Sequence, residues 1–276
     1  MTSGPAASTT VAQIAEEWDS YQEIPAIDEA YAEALGDQFA GQFSGATPHY
    51  LEQLAAHLGW SATTRVLDAG CGTGGLTAAL AARTGCTAVG LDASPAAVRV
   101  ARTRLAGRPE ADRVDYAVGD MGDPDLPSGS LDAVLAIGSG YWSDPATTVG
   151  HWRNLLRGDR PAVVVVIRRI LRPQTSHDIE LTLQEGLFEP HPDWETALRT
   201  AGFDIEVRDL TEADAQCVER LYAALARRLP ALRDQLGDAP GERYLAEVKV
   251  LRDEHRAGRM RRTEIVARLG GGHDPC

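Results

Sequence analysis

The sequence is short of cysteine, aromatic residues and basic charge, and each shortage excludes something. Its four cysteines, Cys71, Cys86, Cys217 and Cys276, include no Cys-x-x-Cys pair and no regular spacing. Neither a metal site nor a disulfide framework is expected, and a reducing cytoplasm is the natural setting. Lysine and arginine total 27 against 40 aspartates and glutamates, a formal charge of −13. Such a field repels phosphate backbones and anionic lipid, so no nucleic-acid partner and no membrane partner is expected. Two basic clusters, Arg227–Arg228 and Arg259–Met260–Arg261–Arg262, read as a solvated helix face and a strand flank. The longest apolar run, Ala162 to Ile167, falls far below the ~20 residues that span a membrane. Met1 to Thr10 has no basic start and no apolar stretch, and reads as a flexible tail rather than a signal peptide.

What is present suits one large α/β domain with appended helices. Hydrophobic residues make up 43% of 276, enough for a sizeable core. After the tail, residues 11–62 read as N-terminal helices that cover a cleft. Thr10-Val11-Ala12-Gln13 has the form of a capping box, and Ile14, Trp18 and Tyr21 share the face of the helix it opens, which Pro25 ends. Further helices are predicted over Asp28 to Leu35 and Thr47 to Leu58, the latter stopped by Gly59. Residues 63–210 alternate strand and helix, with strands at 65–69, 87–91, 113–118, 131–137, 162–167 and 203–210, and an insertion at 169–190. That alternation implies parallel pairing in a doubly wound sheet. Val163 to Val166 suits a central strand buried on both faces. Residues 211–270 read as a helical extension and a last strand from Arg262 to Leu269, followed by a tail at 271–276.

The most informative stretch is Leu67-Asp68-Ala69-Gly70-Cys71-Gly72-Thr73-Gly74-Gly75, between a strand and a helix. Glycine there lets backbone N–H groups approach a ligand and permits positive φ. Gly70, Gly72 and Gly75 also satisfy the dinucleotide pattern G-x-G-x-x-G, so a nicotinamide cofactor has to be weighed. Asp68 decides against it. A carboxylate at the strand end would repel a pyrophosphate and attract ammonium and sulfonium charges. Asp92 ends the next strand, where it can take both ribose hydroxyls, and Asp120 follows the third, where it can accept from an adenine amine.

Leu67 to Gly74, then Gly90-Leu91-Asp92-Ala93-Ser94-Pro95, then Gly119-Asp120-Met121 resemble the successive motifs of class I S-adenosylmethionine-dependent methyltransferases. The resemblance covers about residues 64–167 and holds in order and spacing. Leu155-Leu156-Arg157-Gly158-Asp159-Arg160 resembles the family's turn before the fifth strand, with Gly158 where proline is usual and Asp159 where glycine is usual. The resemblance implies a doubly wound, mostly parallel seven-stranded sheet of Rossmann-like α/β class, its last strand antiparallel, with helical cap segments. It implies S-adenosylmethionine as cofactor, at Asp68, Gly70, Cys71, Gly72, Gly74, Asp92, Ala93, Asp120, Met121 and Gly138. Phe43 and Ser44 would lie near its methionine carboxylate.

An Asn-Pro-Pro-Tyr stretch, which family members acting on adenine or glutamine nitrogen carry after the fourth strand, is absent; Gly138-Ser139-Gly140-Tyr141-Trp142 stands there. With the acidic charge and covering helices at both ends, this favours a small acceptor such as a secondary metabolite, methylated on N, O or C. Tyr141 and Trp142 either wall the acceptor, or stabilise a cationic one, or pack under the cap. Tyr21 either closes over the cleft as a catalytic residue or packs with Trp18. His177 and His191, in or beside the insertion, are the base candidates. His49, His57, His151, His255 and His273 are given no role. Rival readings are an enzyme that keeps the cofactor as a structural element and catalyses cyclisation, and a non-catalytic binding module. The sequence is compatible with a homo-oligomer.

Overall fold

A computed structural model describes residues 18–158, 161–171 and 193–269. Trp18 and Asp19 end a helical turn, followed by α1 (Pro25–Leu35) and α2 (Pro48–Leu58). The chain then alternates through β1 (Arg65–Ala69), α3 (Gly75–Thr84), β2 (Thr87–Asp92), α4 (Pro95–Leu105), β3 (Val114–Val118) and β4 (Ala133–Ile137). Next come α5 (Pro145–Leu155), β5 (Ala162–Leu171), α6 (Trp194–Thr200) and β6 (Asp204–Asp209). Helices α7 (Thr211–Arg227), α8 (Leu229–Leu236) and α9 (Asp238–Arg256) precede β7 (Met260–Leu269). Local chemistry sets several starts: α2, α4 and α5 each open on proline behind a capping side chain, Thr47, Ser94 and Asp144.

The described residues form a seven-stranded sheet in the order β3-β2-β1-β4-β5-β7-β6. Strands β1 to β5 pair in parallel, and β7 runs antiparallel between β5 and β6. The order reverses between β1 and β4, the place where an open α/β sheet leaves a crevice at its carboxyl edge. Strand β5 is central, as its valine run requires. Val163, Val165 and Ile167 join the layer that holds Leu51, Leu54, Leu80 and Val98 of α2, α3 and α4. Val164 and Val166 join the opposite layer, with Val149, Trp152, Trp194 and Leu198 of α5 and α6.

A third cluster forms the cap, where Ile27 and Tyr31 of α1 pack against Leu221, Leu225, Leu232, Tyr244 and Val248 of α7, α8 and α9. The cluster Arg227–Arg228 ties α7 to Glu29 and Glu33 of α1. Among the described residues, no helix is long and apolar enough to cross a membrane.

Three expectations need correction. Helix α1 begins at Pro25, because proline fits the first helical position as well as it ends a preceding helix. Residues 169–171, expected in an insertion, continue β5 and pair with Met260 to Arg262. The polar side chains at 168 and 169 end the apolar run without ending the strand, since Glu195 of α6 and Asp214 of α7 stand ready to pair with them. For the same reason Arg262 is no solvated flank: it is buried.

Trp152 couples the second layer to the crevice: its ring stacks on Trp194 at 5.2 Å and its Nε1 donates to the Met121 carbonyl at 2.8 Å. Trp152→Ala should destabilise the fold by about 3–5 kcal/mol, read from the shift in a urea unfolding curve.

Candidate active site

The carboxyl ends of β1 to β4 bound a cleft of about 1070 Å³, counting the space at its mouth. The glycine loop folds over β2 because the N–H groups of Gly70 and Cys71 both donate to the Leu91 carbonyl, at 2.7 and 3.0 Å. Gly70 has φ +80°, and a Cβ there would overlap the Ser139 side chain; Gly72, at φ +53°, faces open space. The loop is thereby held close to whatever fills the cleft.

Carboxylates govern the electrostatics of that cleft. Asp68 is 3% exposed, and its Oδ2 accepts from the Thr77 hydroxyl at 2.5 Å. Burial, with help from nearby Asp92 and against the Thr77 bond, pushes its pKa up to about 6. Asp92 accepts the Gly72 N–H at 2.7 Å and the Ser94 N–H at 2.9 Å. Burial raises its pKa as well, opposed by those two bonds. Asp120 accepts the Gly122 N–H at 2.7 Å. The Cys71 thiol is held well above the usual range by burial, Asp68 and Asp92, so it stays protonated and is no nucleophile.

A second cavity, of about 880 Å³ with its mouth, shares Trp18, Phe43, Ser44, Ile137 and Gly138 with the first. Its other walls include Tyr31, Tyr141, Arg168, Arg169, Tyr244, Glu247 and Arg262. Behind them lies Asp214 of α7, which accepts from Arg169, Arg262 and His255. Burial would raise the Asp214 pKa, but Arg169, Arg262 and the His255 bond hold it well below the usual carboxylate range. Tyr31 is pushed up to about 12 by burial, against the pull of Arg169. It is therefore a neutral phenol at physiological pH.

The structure gathers most of the sequence-predicted cofactor residues around the first cleft: Phe43, Ser44, Asp68, Gly70, Cys71, Gly72, Asp92, Ala93, Asp120, Met121 and Gly138 all line it. Gly74 does not. It sits behind the loop, where a Cβ would meet the Tyr116 ring and the Ala101 methyl, and its carbonyl accepts the Tyr116 hydroxyl at 2.6 Å. Tyr21 lines neither cavity; it is buried between Trp18 and Tyr244, with ring centroids 6.0 and 5.0 Å away. The helix expected to carry both rings on one face ends at Asp19, so Tyr21 lies in the turn beyond it, and Trp18 lines both cavities instead. Tyr141 lines the second cavity. His177, His191 and the Trp142 side chain lie outside the described residues. Sequence reasoning missed Arg169, Asp214, His255 and Arg262, whose pairings span 45, 48 and 41 residues and leave no local pattern.

The model of a methyltransferase domain matches residues 66–159, the stretch that carries the glycine loop and the strand-end carboxylates. The ubiquinone biosynthesis O-methyltransferase of Alkalilimnicola ehrlichii is 30% identical over 205 residues, 72% of this chain and 78% of that protein. The chain belongs to the class I S-adenosylmethionine-dependent methyltransferases. Another member, methyltransferase GfsG of Streptomyces halstedii, is 29% identical over 193 residues, 67% of this chain and 69% of that one. Among solved structures, the 4+2 cyclase SpnF superposes with a TM-score of 0.76 at 20% identity, over 98% of this chain and 100% of that chain. At that identity the likeness is one of fold, cap included.

S-adenosylmethionine is the cofactor of this methyltransferase family, and the cleft suits it: a buried carboxylate for a cationic amino-acid end and two more at the following strand ends. Asp68 must ionise to serve a cation. Its pKa of about 6 lies above the ordinary 3.8, so its contribution to the stability of the cofactor-free protein is present below about pH 4 and lost as pH rises through 6. Cofactor affinity should run the opposite way. It should be flat above about pH 7 and fall as pH drops through 6, approaching about tenfold per unit. Calorimetric titration across pH 5–8 checks this, and Asp68→Asn should remove the step.

Proposed function

We propose that this chain transfers the methyl group of S-adenosylmethionine to a small-molecule acceptor, such as a secondary metabolite, held in the second cavity. The observation that carries the reading is the wall shared by the two cavities at Phe43, Ser44, Ile137 and Gly138. An acceptor there would meet the reactive end of the cofactor without passing through solvent. Tyr31 of α1 and Tyr244, Val248 and Leu251 of α9 bring the cap to the wall of that cavity, which with the acidic charge of the chain favours a small acceptor over a polymer.

In this reading Asp68 holds the cofactor ammonium, Asp92 the ribose hydroxyls and Asp120 the adenine amine, while Phe43 and Ser44 close over the methionine end. When bound, the cofactor would supply an electrophilic methyl to an acceptor nucleophile, with the electron pair of the carbon–sulfur bond left on sulfur and the acceptor's proton passing to a base or to solvent. Much of the rate then comes from positioning. Tyr31 and Tyr244, neutral phenols held above the ordinary tyrosine pKa chiefly by burial, hydrogen-bond to each other, and the hydroxyl proton left over can orient the acceptor.

Turnover tests the reading. Incubation of the purified chain with S-adenosylmethionine and candidate acceptors should yield S-adenosylhomocysteine and methylated product in equal amounts by mass spectrometry. A rearranged acceptor with the cofactor unconsumed would instead establish cyclisation. Asp68→Ala should weaken cofactor binding roughly 10- to 100-fold, as expected for the loss of a charge-assisted hydrogen bond.

A further inference from the structure

The second cavity is a positive place in a strongly negative chain. Arg168, Arg169 and Arg262 stand on its walls with the carboxylate of Glu247. Arg168 lies 3.9 Å from Glu195, and Glu247 lies 4.0 Å from Arg243. Arg169 and Arg262 share a single counter-charge. Asp214, whose side chain is fully buried, accepts Arg169 Nε at 2.7 Å and Nη2 at 2.9 Å, Arg262 Nη1 at 2.6 Å and His255 Nε2 at 2.9 Å. Glu264, two residues further along β7, accepts the Tyr50 hydroxyl and lies 3.6 Å from Arg208, which also holds Glu206. Two guanidinium groups against one carboxylate leave a net positive charge beside the cavity.

Both forks are also held in place. The bidentate contact fixes the Arg169 plane, and the second Arg262 nitrogen reaches the Ser44 hydroxyl at 3.3 Å. Nη1 of Arg169 has no acceptor among the described residues. The Tyr141 hydroxyl accepts the Arg169 backbone N–H, which leaves its own proton to donate. Oriented donors around uncompensated charge in a site screened from water are what an anionic group binds to.

We propose that the acceptor is an organic acid, whose carboxylate is held by Arg169 and Arg262 at the cap side of the second cavity. This rests on the second cavity being the acceptor site. Asp214 and His255 act as positioning residues that fix the two forks. The aromatic rings of Tyr31, Phe43 and Tyr244 would suit a cation, but the two arginines and the sulfonium across the shared wall oppose one. The same charges favour an anion twice over, since it answers both the guanidinium pair and the cofactor.

Equilibrium binding separates this proposal from the methyl-transfer reading, which stands or falls on turnover. The full chain, saturated with S-adenosylhomocysteine, is titrated calorimetrically with 4-hydroxyphenylacetate, phenylpropanoate and decanoate, and with the amide and the amine of each skeleton. At least one acid should bind tenfold or more tightly than its amide, with the amine weakest. Arg169→Gln should abolish that preference, Arg169→Lys should retain part of it, and both should keep the affinity for S-adenosylhomocysteine. If Arg169→Gln unfolds, Arg262→Gln, which likewise leaves one guanidinium against Asp214, should show the same loss of preference. Acids binding no better than their amides, a preference for amines, no acid binding at all, or a preference that survives the loss of Arg169 would each overturn the proposal.

Discussion

Four elements that are far apart in the chain meet on the carboxylate of Asp214. It belongs to α7, Arg169 to β5, Arg262 to β7 and His255 to α9. A buried carboxylate with two guanidinium partners is stable only while all of them stay in register, since an unpaired buried charge costs several kcal/mol. That demand fixes the cap to the sheet at one point, and apolar packing between α1 and the C-terminal helices extends the attachment. The second cavity exists because the cap is anchored there and not flush against the sheet edge.

The two cavities carry opposite charge. In the first, Asp68, Asp92 and Asp120 collect at successive strand ends, and burial makes the Asp68 and Asp92 carboxylates costly to ionise without a cation. In the second, arginine prevails. The wall between them, Ile137, Gly138, Phe43 and Ser44, is nearly neutral. That division of charge would draw a cationic cofactor and the acid proposed as acceptor each to its own side before any bond changes.

How much of this was legible in the sequence follows from the range of each interaction. Proline starts, side-chain caps and the glycine loop act over a few residues, and helices such as Pro48–Leu58 and Pro95–Leu105 could be read nearly to their ends. The valine run placed β5 in the middle of the sheet, because burial on both faces leaves no alternation. The strand-end carboxylates could be read because each follows its own strand. The cap network could not. Hydrophobic periodicity reports which face of α7 or α9 is buried, and says nothing about an aspartate and a histidine on those faces finding arginines in two strands. His255 looked like a bystander, and Arg262 like a flank, until the fold brought Asp214 to them. Trp18 ends a helical turn and Tyr21 lies in the turn that follows it, and only the tertiary fold decides which of them reaches the cavities. Gly74 shares a motif with residues that face the cleft, yet its place is set by the Tyr116 ring on the other side of the loop.

The position of β7 has a consequence for how the chain is made. Among the described residues β6 pairs with β7 alone, and β7 follows the other six strands of this sheet in the chain. Until residues 260–269 are synthesised, β5 keeps an open edge and β6 has nothing to bind. The three helices of the extension emerge in that interval, before the sheet they cover is complete. Completion therefore depends on a contact of long sequence separation formed late, and the nascent protein exposes a valine-rich strand edge throughout the wait. A chain cut short ahead of β7 would lose more than an edge strand: its sheet would end at the most apolar strand in the molecule.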